Sequence, residues 1–266
     1  SSHITGARTK LLRERLLAEF VGTLVFVLTI GVSVAGGGPN APVAIGLILG
    51  IQIYTFGSVS GGFFNPAVTL AVLLAGRGKI TPLYTLAYMG VQFLGALLGA
   101  CIAFGVTQRT FCFHYDNNAM TPANSWASCF MLELIFTMAL CGAVLTTGTS
   151  MDAPNHYFGF AIGGTVLAGA TACGGFDQGS FNPAVTFGIN MANYFSSDAA
   201  KLGAEAGDIN TLTPDAGSWL TFLVAPWIGG ALAAAVFRGT RGEEYEGSTS
   251  LDPVMPIAGS KIVGGD

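Results

Sequence analysis

Six long apolar stretches dominate the pattern of hydrophobic and polar positions along this chain, and polar or Gly- and Pro-containing segments separate them. Each stretch is long enough to cross the roughly 30 Å hydrocarbon core of a bilayer as an α-helix, which takes about 20 residues. The pattern therefore predicts six membrane-spanning helices. They are residues 14–36, 41–60, 82–106, 126–148, 157–175 and 218–238.

Two shorter apolar stretches, 65–76 and 182–193, each begin with the same tripeptide, Asn-Pro-Ala. Both are too short to cross a bilayer. Proline is tolerated in the first turn of a helix, and an asparagine before it can cap that helix. We therefore predict two half-helices that enter the membrane from opposite sides. The motif residues are Asn65, Pro66, Ala67, Asn182, Pro183 and Ala184.

An internal repeat relates the two halves of the chain. Glu19 near the start of the first span has a counterpart in Glu133 near the start of the fourth, and Gly95 in the third has one in Gly229 in the sixth. Three spans per copy is an odd number, so the copies are inverted and are expected to share a site near the middle of the bilayer. The predicted organisation is a cytoplasmic segment 1–13, a single membrane domain 14–240 with repeats 14–106 and 126–238, and a cytoplasmic tail 241–266.

The composition supports a membrane protein. Hydrophobic residues make up 51% of the chain and charged residues 10%, whereas a soluble domain has about 25% charged residues. The 38 glycines are typical of membrane helices that approach one another closely. The five cysteines include no Cys-x-x-Cys pair and mostly lie in apolar stretches, so we interpret them as small buried side chains.

The basic residues predict the orientation. With an even number of spans, both termini lie on one side of the membrane, and nine of the eleven Lys and Arg residues fall on that side. Only Arg109 and Lys201 fall on the other. The positive-inside rule therefore places both termini in the cytoplasm.

Two half-helix tips that face one another would create an unusual electrostatic centre. Each N-terminus carries roughly half a positive charge, and Asn65 and Asn182 add amide donors there. Such a centre accepts the oxygen of a neutral solute, repels cations, and orients water so that a proton cannot pass along a continuous chain. The simpler alternative is that each asparagine only caps its helix, but two matched caps favour a pore. Carbonyls beside the motifs are predicted to line one pore wall: Gly61, Gly62, Phe63, Phe64, Ser180 and Phe181.

Glu19 and Glu133 are acids within predicted spans, where a carboxylate is costly unless it is paired. One interpretation is a proton relay. The other is that each carboxylate accepts backbone N–H bonds and braces a re-entrant loop. The symmetric placement of the two acids in the repeat favours bracing.

These residues together resemble the aquaporin (major intrinsic protein) family over about 14–240. The motifs that carry the resemblance are the two Asn-Pro-Ala tripeptides, Ala18-Glu19-Phe20, Ser60-Gly61-Gly62, Gln92, Glu133, Gly174-Gly175-Phe176-Asp177, Ala225-Pro226 and Gly229-Gly230. The stretch 175–185 looks most like the tonoplast branch. The resemblance implies an all-α membrane fold of six transmembrane helices plus two re-entrant half-helices in a right-handed bundle, loop bracing by the two glutamates, and a homotetramer in the lipid bilayer.

The resemblance also implies a selectivity filter, and there the chain departs from the family. Most aquaporins carry an arginine directly after the second Asn-Pro-Ala, where this chain has Val185. By the family's spacing, the other filter positions are Ile45, Ala170 and Gly179. This filter is expected to be wide, apolar and uncharged, and to pass glycerol, urea, ammonia or hydrogen peroxide beside water. Thr186 stands where glycerol facilitators carry an aspartate, and an apolar ring could also slow water by dewetting.

The predicted function is a passive channel for water and small neutral solutes in the plasma membrane or a vacuole-type membrane. The alternatives are an ion-coupled secondary transporter, which also uses inverted repeats and broken helices, and a non-conducting junction protein. No nucleotide-binding loop, metal cluster or nucleophile triad occurs, so we expect no enzyme activity, cofactor, metal or nucleic-acid partner. Asp177 is predicted to pair locally, and His114 to be solvated rather than a pH gate.

Overall fold

The chain folds into helices joined by short loops. The computed structural model describes residues 2–115, 125–151, 153, 155–174, 178–197, 200–201 and 213–246, with side chains from residue 12 onward. Within these ranges the regular structure is helical apart from one isolated parallel bridge between Thr110 and Lys201. The α-helices are α1 (Ser2–Ala35), α2 (Ala41–Ser60), α3 (Pro66–Leu74), α4 (Pro82–Thr107), α5 (Trp126–Ala143), α6 (Phe158–Cys173), α7 (Pro183–Phe195) and α8 (Ala216–Thr240).

In the part of the chain that the structure describes, five helices are long and apolar enough to cross a membrane, which confirms an all-α membrane protein. They correspond to the predicted first, second, third, fourth and sixth spans. The fifth predicted span, 157–175, is the shorter helix α6, whose 16 residues rise about 24 Å. Helix α5 continues past Ala143 as a single π-helical segment, Val144–Gly148, which the apolar pattern did not predict.

Side-chain caps explain where several spans begin. The amide of Tyr84 donates to Thr81 Oγ1 at the start of α4, and the amide of Ser218 donates to Asp215 Oδ1 at the start of α8. Ser125 caps α5 in the same way. Each cap satisfies a backbone N–H that the helix itself leaves unpaired, so the helix starts at a defined residue.

Glycines at equivalent positions allow the long helices to pack closely. Helix α1 packs on α4 where Gly95 meets the carbonyl of Phe20, and α5 packs on α8 where Gly229 meets the carbonyl of Leu134. A Cβ atom at either glycine would clash with that carbonyl oxygen. The same contact therefore recurs in both halves of the molecule, as the internal repeat predicts.

The two half-helices lie between the long helices, and each contacts α4 and α8. They begin at the proline of each motif, one residue later than predicted, because the asparagine is the extended N-cap residue. Asn65 Oδ1 accepts from the Ala67 amide at 2.8 Å, and Asn182 Oδ1 accepts from the Ala184 amide at 3.0 Å. Helix α3 ends at Leu74, before the predicted limit, whereas α7 runs on to Phe195.

A buried ion pair joins the loop after α3 to the segment after α8. Arg77 Nη1 lies 2.8 Å from Glu244 Oε2, and their side chains are only 5% and 4% exposed. Arg77 also donates to the carbonyl of Thr149, and Glu244 accepts from the amide of Met151. Three segments distant in sequence therefore meet at this end of the bundle.

Candidate functional site

The tips of the two half-helices are joined by reciprocal hydrogen bonds. Asn65 Nδ2 donates to the carbonyl oxygen of Phe181 at 2.8 Å, and Asn182 Nδ2 donates to the carbonyl oxygen of Phe64 at 2.9 Å. Each asparagine thus caps its own half-helix and binds the loop of the other. An amide nitrogen carries two hydrogens, so one donor of each side chain is not used in these bonds.

The residues before the asparagines adopt a backbone conformation that is uncommon for aromatic residues. Phe64 has a φ of 48° and Phe181 a φ of 50°, both in the left-handed region. Such a conformation costs about 1–3 kcal/mol and persists only where the surroundings hold it. The ring of Phe64 packs against Gly22, and the ring of Phe181 packs against Gly169. The rings are therefore anchored between helices, and the carbonyls face the opposite motif.

Glu19 accepts four hydrogen bonds, two of them from the loop before the first motif and one from Ser60, the last residue of α2. Its Oε1 atom accepts from Ser60 Oγ at 2.6 Å and from the Phe63 amide at 3.0 Å. Its Oε2 atom accepts from the Phe64 amide and from Gln92 Nε2, both at 2.8 Å. The side chain is completely buried. These are the contacts expected of a brace, and they occupy both oxygens that a proton relay would need.

Glu133 makes the corresponding contacts in the second half. Its Oε1 atom accepts from the Ser180 amide, and its Oε2 atom accepts from the Phe181 amide at 2.8 Å. Glu133 is also completely buried. The two glutamates thus hold the two residues that precede each asparagine in matching geometry.

The threonine four residues after each asparagine has a different hydrogen-bond partner outside its own half-helix in each half of the molecule. Thr69 Oγ1 and the side chain of Gln92 lie 3.0 Å apart and are hydrogen-bonded. Thr186 Oγ1 donates instead to the carbonyl of Phe222 at 3.2 Å. Pro226 lies four residues after Phe222 and has no N–H, so that carbonyl lacks its usual helical partner. The proline inside α8 therefore frees an acceptor that binds α7.

Substitution of Glu19 by glutamine tests bracing against proton relay. The amide keeps the size of the side chain but brings an N–H₂ group against the N–H donors of the loop, so we expect a loss of at least about 2 kcal/mol of stability. Thermal unfolding of the purified protein in detergent measures it. Glu14→Gln, an exposed position on α1, is the matched control and should change nothing. Unchanged stability together with an altered pH dependence of flux would instead favour the relay.

Both asparagines line one central cavity. Its polar wall includes Asn65, Asn182 and Ser180, and its remaining wall is mostly apolar. Of the predicted carbonyl residues, Gly62, Phe63, Phe64 and Ser180 line this cavity. Gly61 and Phe181 are not among the residues that line it. Gly61 is the C-cap of α2, and the carbonyl of Phe181 is bonded to Asn65.

The four predicted filter positions come together around a second cavity, which we call the filter cavity. Ile45, Ala170, Gly179 and Val185 all line it. The two cavities are adjacent, because Phe26, Val166 and Ser180 line both. Further residues also line this cavity, among them Phe111, Phe113 and Gln178, which were not predicted there. Their loops carry no periodic pattern that would place them here. The one available signal was Phe-x-Phe, which puts two aromatic rings on one side of an extended segment.

Other predicted candidates contribute little to this geometry. Asp177 lies outside the described residues, as do 198–199 and 202–212 between α7 and α8. The imidazole of His114 is not fully solvated: it is half-buried, and its Nδ1 atom lies 3.2 Å from the carbonyl oxygen of Cys112 and 3.3 Å from Gln178 Nε2. No cluster of metal-binding side chains occurs among the described residues.

A model of the family described as "Major intrinsic protein" matches residues 7–237, most of the chain. The chain belongs to the major intrinsic protein family. This match confirms the resemblance that the duplicated motifs indicated. The tonoplast-type branch stays a prediction.

Several aquaporins are similar to this major intrinsic protein. It is 32% identical over 190 residues to the putative aquaporin NIP4-1 of Arabidopsis thaliana, covering 66% of this chain and 64% of that one. It is 30% identical to aquaporin A of Dictyostelium discoideum, covering 86% and 79%. It is 31% identical to human aquaporin-5, covering 84% and 79%. The alignment to NIP4-1 thus spans less than two thirds of that relative's length.

The fold of this major intrinsic protein matches a solved channel structure. The aquaglyceroporin from Plasmodium falciparum superposes with a TM-score of 0.68, covering 85% of this chain and 95% of that one. The two sequences are 19% identical, so this match supports the fold alone.

Proposed function

We propose that this major intrinsic protein is a passive channel for water and small neutral solutes that excludes ions and protons. The observation that carries the proposal is that Asn65 and Asn182 line one cavity, each with an amide hydrogen not used in the bond between the motifs. A single water at this point can accept from both asparagines. It then donates outward in both directions, which interrupts proton transfer along the file.

The absence of charge along the path supports this proposal. None of the described residues that line the central or the filter cavity is charged. The positive ends of α3 and α7 are therefore the main electrostatic feature that a solute meets there. A cation would lose hydration without gaining a counter-charge, whereas a neutral molecule would lose only hydrogen bonds that the asparagines and Ser180 replace.

The ion-coupled transporter is the weaker candidate. Such a protein needs an ionisable or carbonyl-rich site for its coupling ion near the centre of the membrane. Glu19 and Glu133 are the acids available there, and their oxygens accept bonds from the loops that hold the motifs. Neither glutamate is among the residues that line the central cavity.

The proposed solute range is broader than water. Ile45, Ala170 and Val185 bring no charge and no hydrogen-bonding side chain to the filter cavity, and Gly179 brings no side chain at all. Nothing at these positions distinguishes water from a small polyol or amide by charge. We therefore propose glycerol, urea, ammonia or hydrogen peroxide as further solutes.

We also propose a homotetramer with both termini in the cytoplasm. The positive-inside distribution of Lys and Arg supports the orientation. The tetramer and the residence in a plasma or vacuole-type membrane rest on the family alone. Each monomer would carry its own pore, because the cavities lie within one chain.

Proteoliposome swelling tests the function. We expect fast water flux with a low activation energy, no saturation, and no dependence on an ion gradient. Empty liposomes prepared with the same lipid and detergent are the control. Flux that saturates and requires a particular cation gradient would favour the transporter, and flux equal to that of empty liposomes would favour a non-conducting protein.

A further inference from the structure

The loop segment 109–115, which follows α4, contributes two aromatic rings to the filter cavity. Phe111 and Phe113 both line it, together with the four positions that the family's spacing predicts. The two rings are 5.6 Å apart and meet edge to face. Phe113 is buried, whereas Phe111 is half-buried. Phe111 is therefore the ring with surface left to meet a solute.

A buried asparagine on α7 holds this segment in place. Asn190 Oδ1 accepts from the Phe113 amide at 2.7 Å, and Asn190 Nδ2 donates to the Phe113 carbonyl at 3.2 Å. Asn190 is completely buried. The same half-helix carries Val185, which also lines the filter cavity. The separation between Val185 and the phenylalanines is thus set by one short, rigid element.

Further backbone bonds tie the same segment to three other places. The Thr110 amide donates to the carbonyl of Ala200 at 2.8 Å, and the Tyr115 amide donates to Ser218 Oγ at 3.2 Å. The His114 amide donates to Gln178, which itself lines the filter cavity. A segment with this many hydrogen-bonded backbone amides has few alternative conformations, so its rings are ordered before a solute arrives.

The segment adds apolar surface and no charge to the cavity. Cys112, between the two phenylalanines, is buried and is not among the residues that line the cavity. Burial raises the pKa of its thiol to about 12, so it is neutral at physiological pH. Phe113 rests on Phe222 of α8, with ring centroids 5.7 Å apart, which prevents it from swinging away.

We propose that Phe111, supported by Phe113 and positioned by Asn190, sets the upper size limit for solutes in this filter. The proposal rests on the channel function proposed above. An aromatic ring supplies the bulk that Ile45, Ala170, Gly179 and Val185 lack. Neutral solutes pass in a slot between this ring and Val185, and the slot admits them according to their cross-section.

Phe111→Ala tests this proposal in proteoliposomes that contain the full chain. We expect the ratio of glycerol to water permeability to rise severalfold, because the slot widens where glycerol is the larger solute. Asn190→Ala should raise the same ratio, since it releases the segment without removing a ring from the cavity. Phe195→Ala, which removes a 75% exposed ring from the end of α7, is the matched control and should leave the ratio unchanged.

The outcomes separate this proposal from the channel function. A wild-type protein without water flux would overturn the channel function itself. Wild-type water flux with an unchanged ratio in Phe111→Ala would overturn the role of Phe111 and leave the channel standing. An equal rise of the glycerol-to-water permeability ratio in Phe195→Ala would also overturn the role of Phe111. If Phe111→Ala does not fold, Phe111→Leu, which keeps an apolar side chain of smaller cross-section, is measured instead and should raise the ratio by a smaller factor.

Discussion

Replacing both Asn65 and Asn182 with aspartate is expected to slow water by at least about tenfold, an added barrier of about 1.4 kcal/mol, and to open a leak for cations. A carboxylate can still accept the capping bond from Ala67 or Ala184, and a negative charge suits a helix N-terminus. The helices should therefore survive. The carboxylate has no N–H₂ group, so the bonds to Phe181 and Phe64 and the donors aimed at a solute are lost.

Stopped-flow light scattering on proteoliposomes measures the water flux, and planar-bilayer conductance measures the ions. Asn40→Asp is the matched control, because Asn40 is exposed at the N-terminus of α2 and makes no side-chain capping bond. It should behave as the wild type does. A double variant that conducts water normally and still excludes ions would contradict a role for Asn65 and Asn182 in water conduction and ion exclusion.

Val185→Arg is expected to lower glycerol and urea permeability by on the order of tenfold while leaving most of the water flux. Val185 is completely buried and lines the filter cavity with Ile45. A guanidinium there would occupy space and offer up to five N–H donors, which suits a single water better than a larger solute. The uncharged ring would become a charged constriction.

Val185→Met is the control for this variant, since it adds length without charge or strong donors. A similar fall in both variants would assign the effect to bulk, and a fall in the arginine variant alone would assign it to charge and hydrogen bonding. Solute flux that does not change in Val185→Arg would contradict the assignment of Val185 to the filter.

The elements that the sequence predicted well depend on interactions between residues that are close together in the chain. Apolar length alone located the long helices, and Asn-Pro-Ala marked both half-helices because a cap followed by proline is a helix start at any depth. The matching of Glu19 with Glu133 came from the internal repeat, which is also a property of the linear chain. Boundaries moved by a residue or more where the asparagine proved to be the cap itself.

The filter was predicted less completely. The resemblance to the family, through its spacing from the Asn-Pro-Ala motifs, pointed to Ile45, Ala170, Gly179 and Val185, which the structure brings around one cavity. Phe111 and Phe113 escaped prediction because a short loop has neither a helical nor a strand period, and its position depends on bonds to residues distant in sequence such as Asn190. The π-helical segment after α5 had no signal in the apolar pattern either.

The sequence by itself determined that this is a membrane protein with two related halves and two capped half-helices, because hydropathy, capping and repetition act over short distances along the chain. Only the tertiary structure decided that each asparagine binds the carbonyl of the other half, that Pro226 frees a carbonyl for Thr186, and that Phe111 lines the same cavity as Val185. Those contacts join residues far apart in the chain. These contacts require the close helix packing at Gly95 and Gly229, which brings buried polar groups within hydrogen-bonding distance of one another.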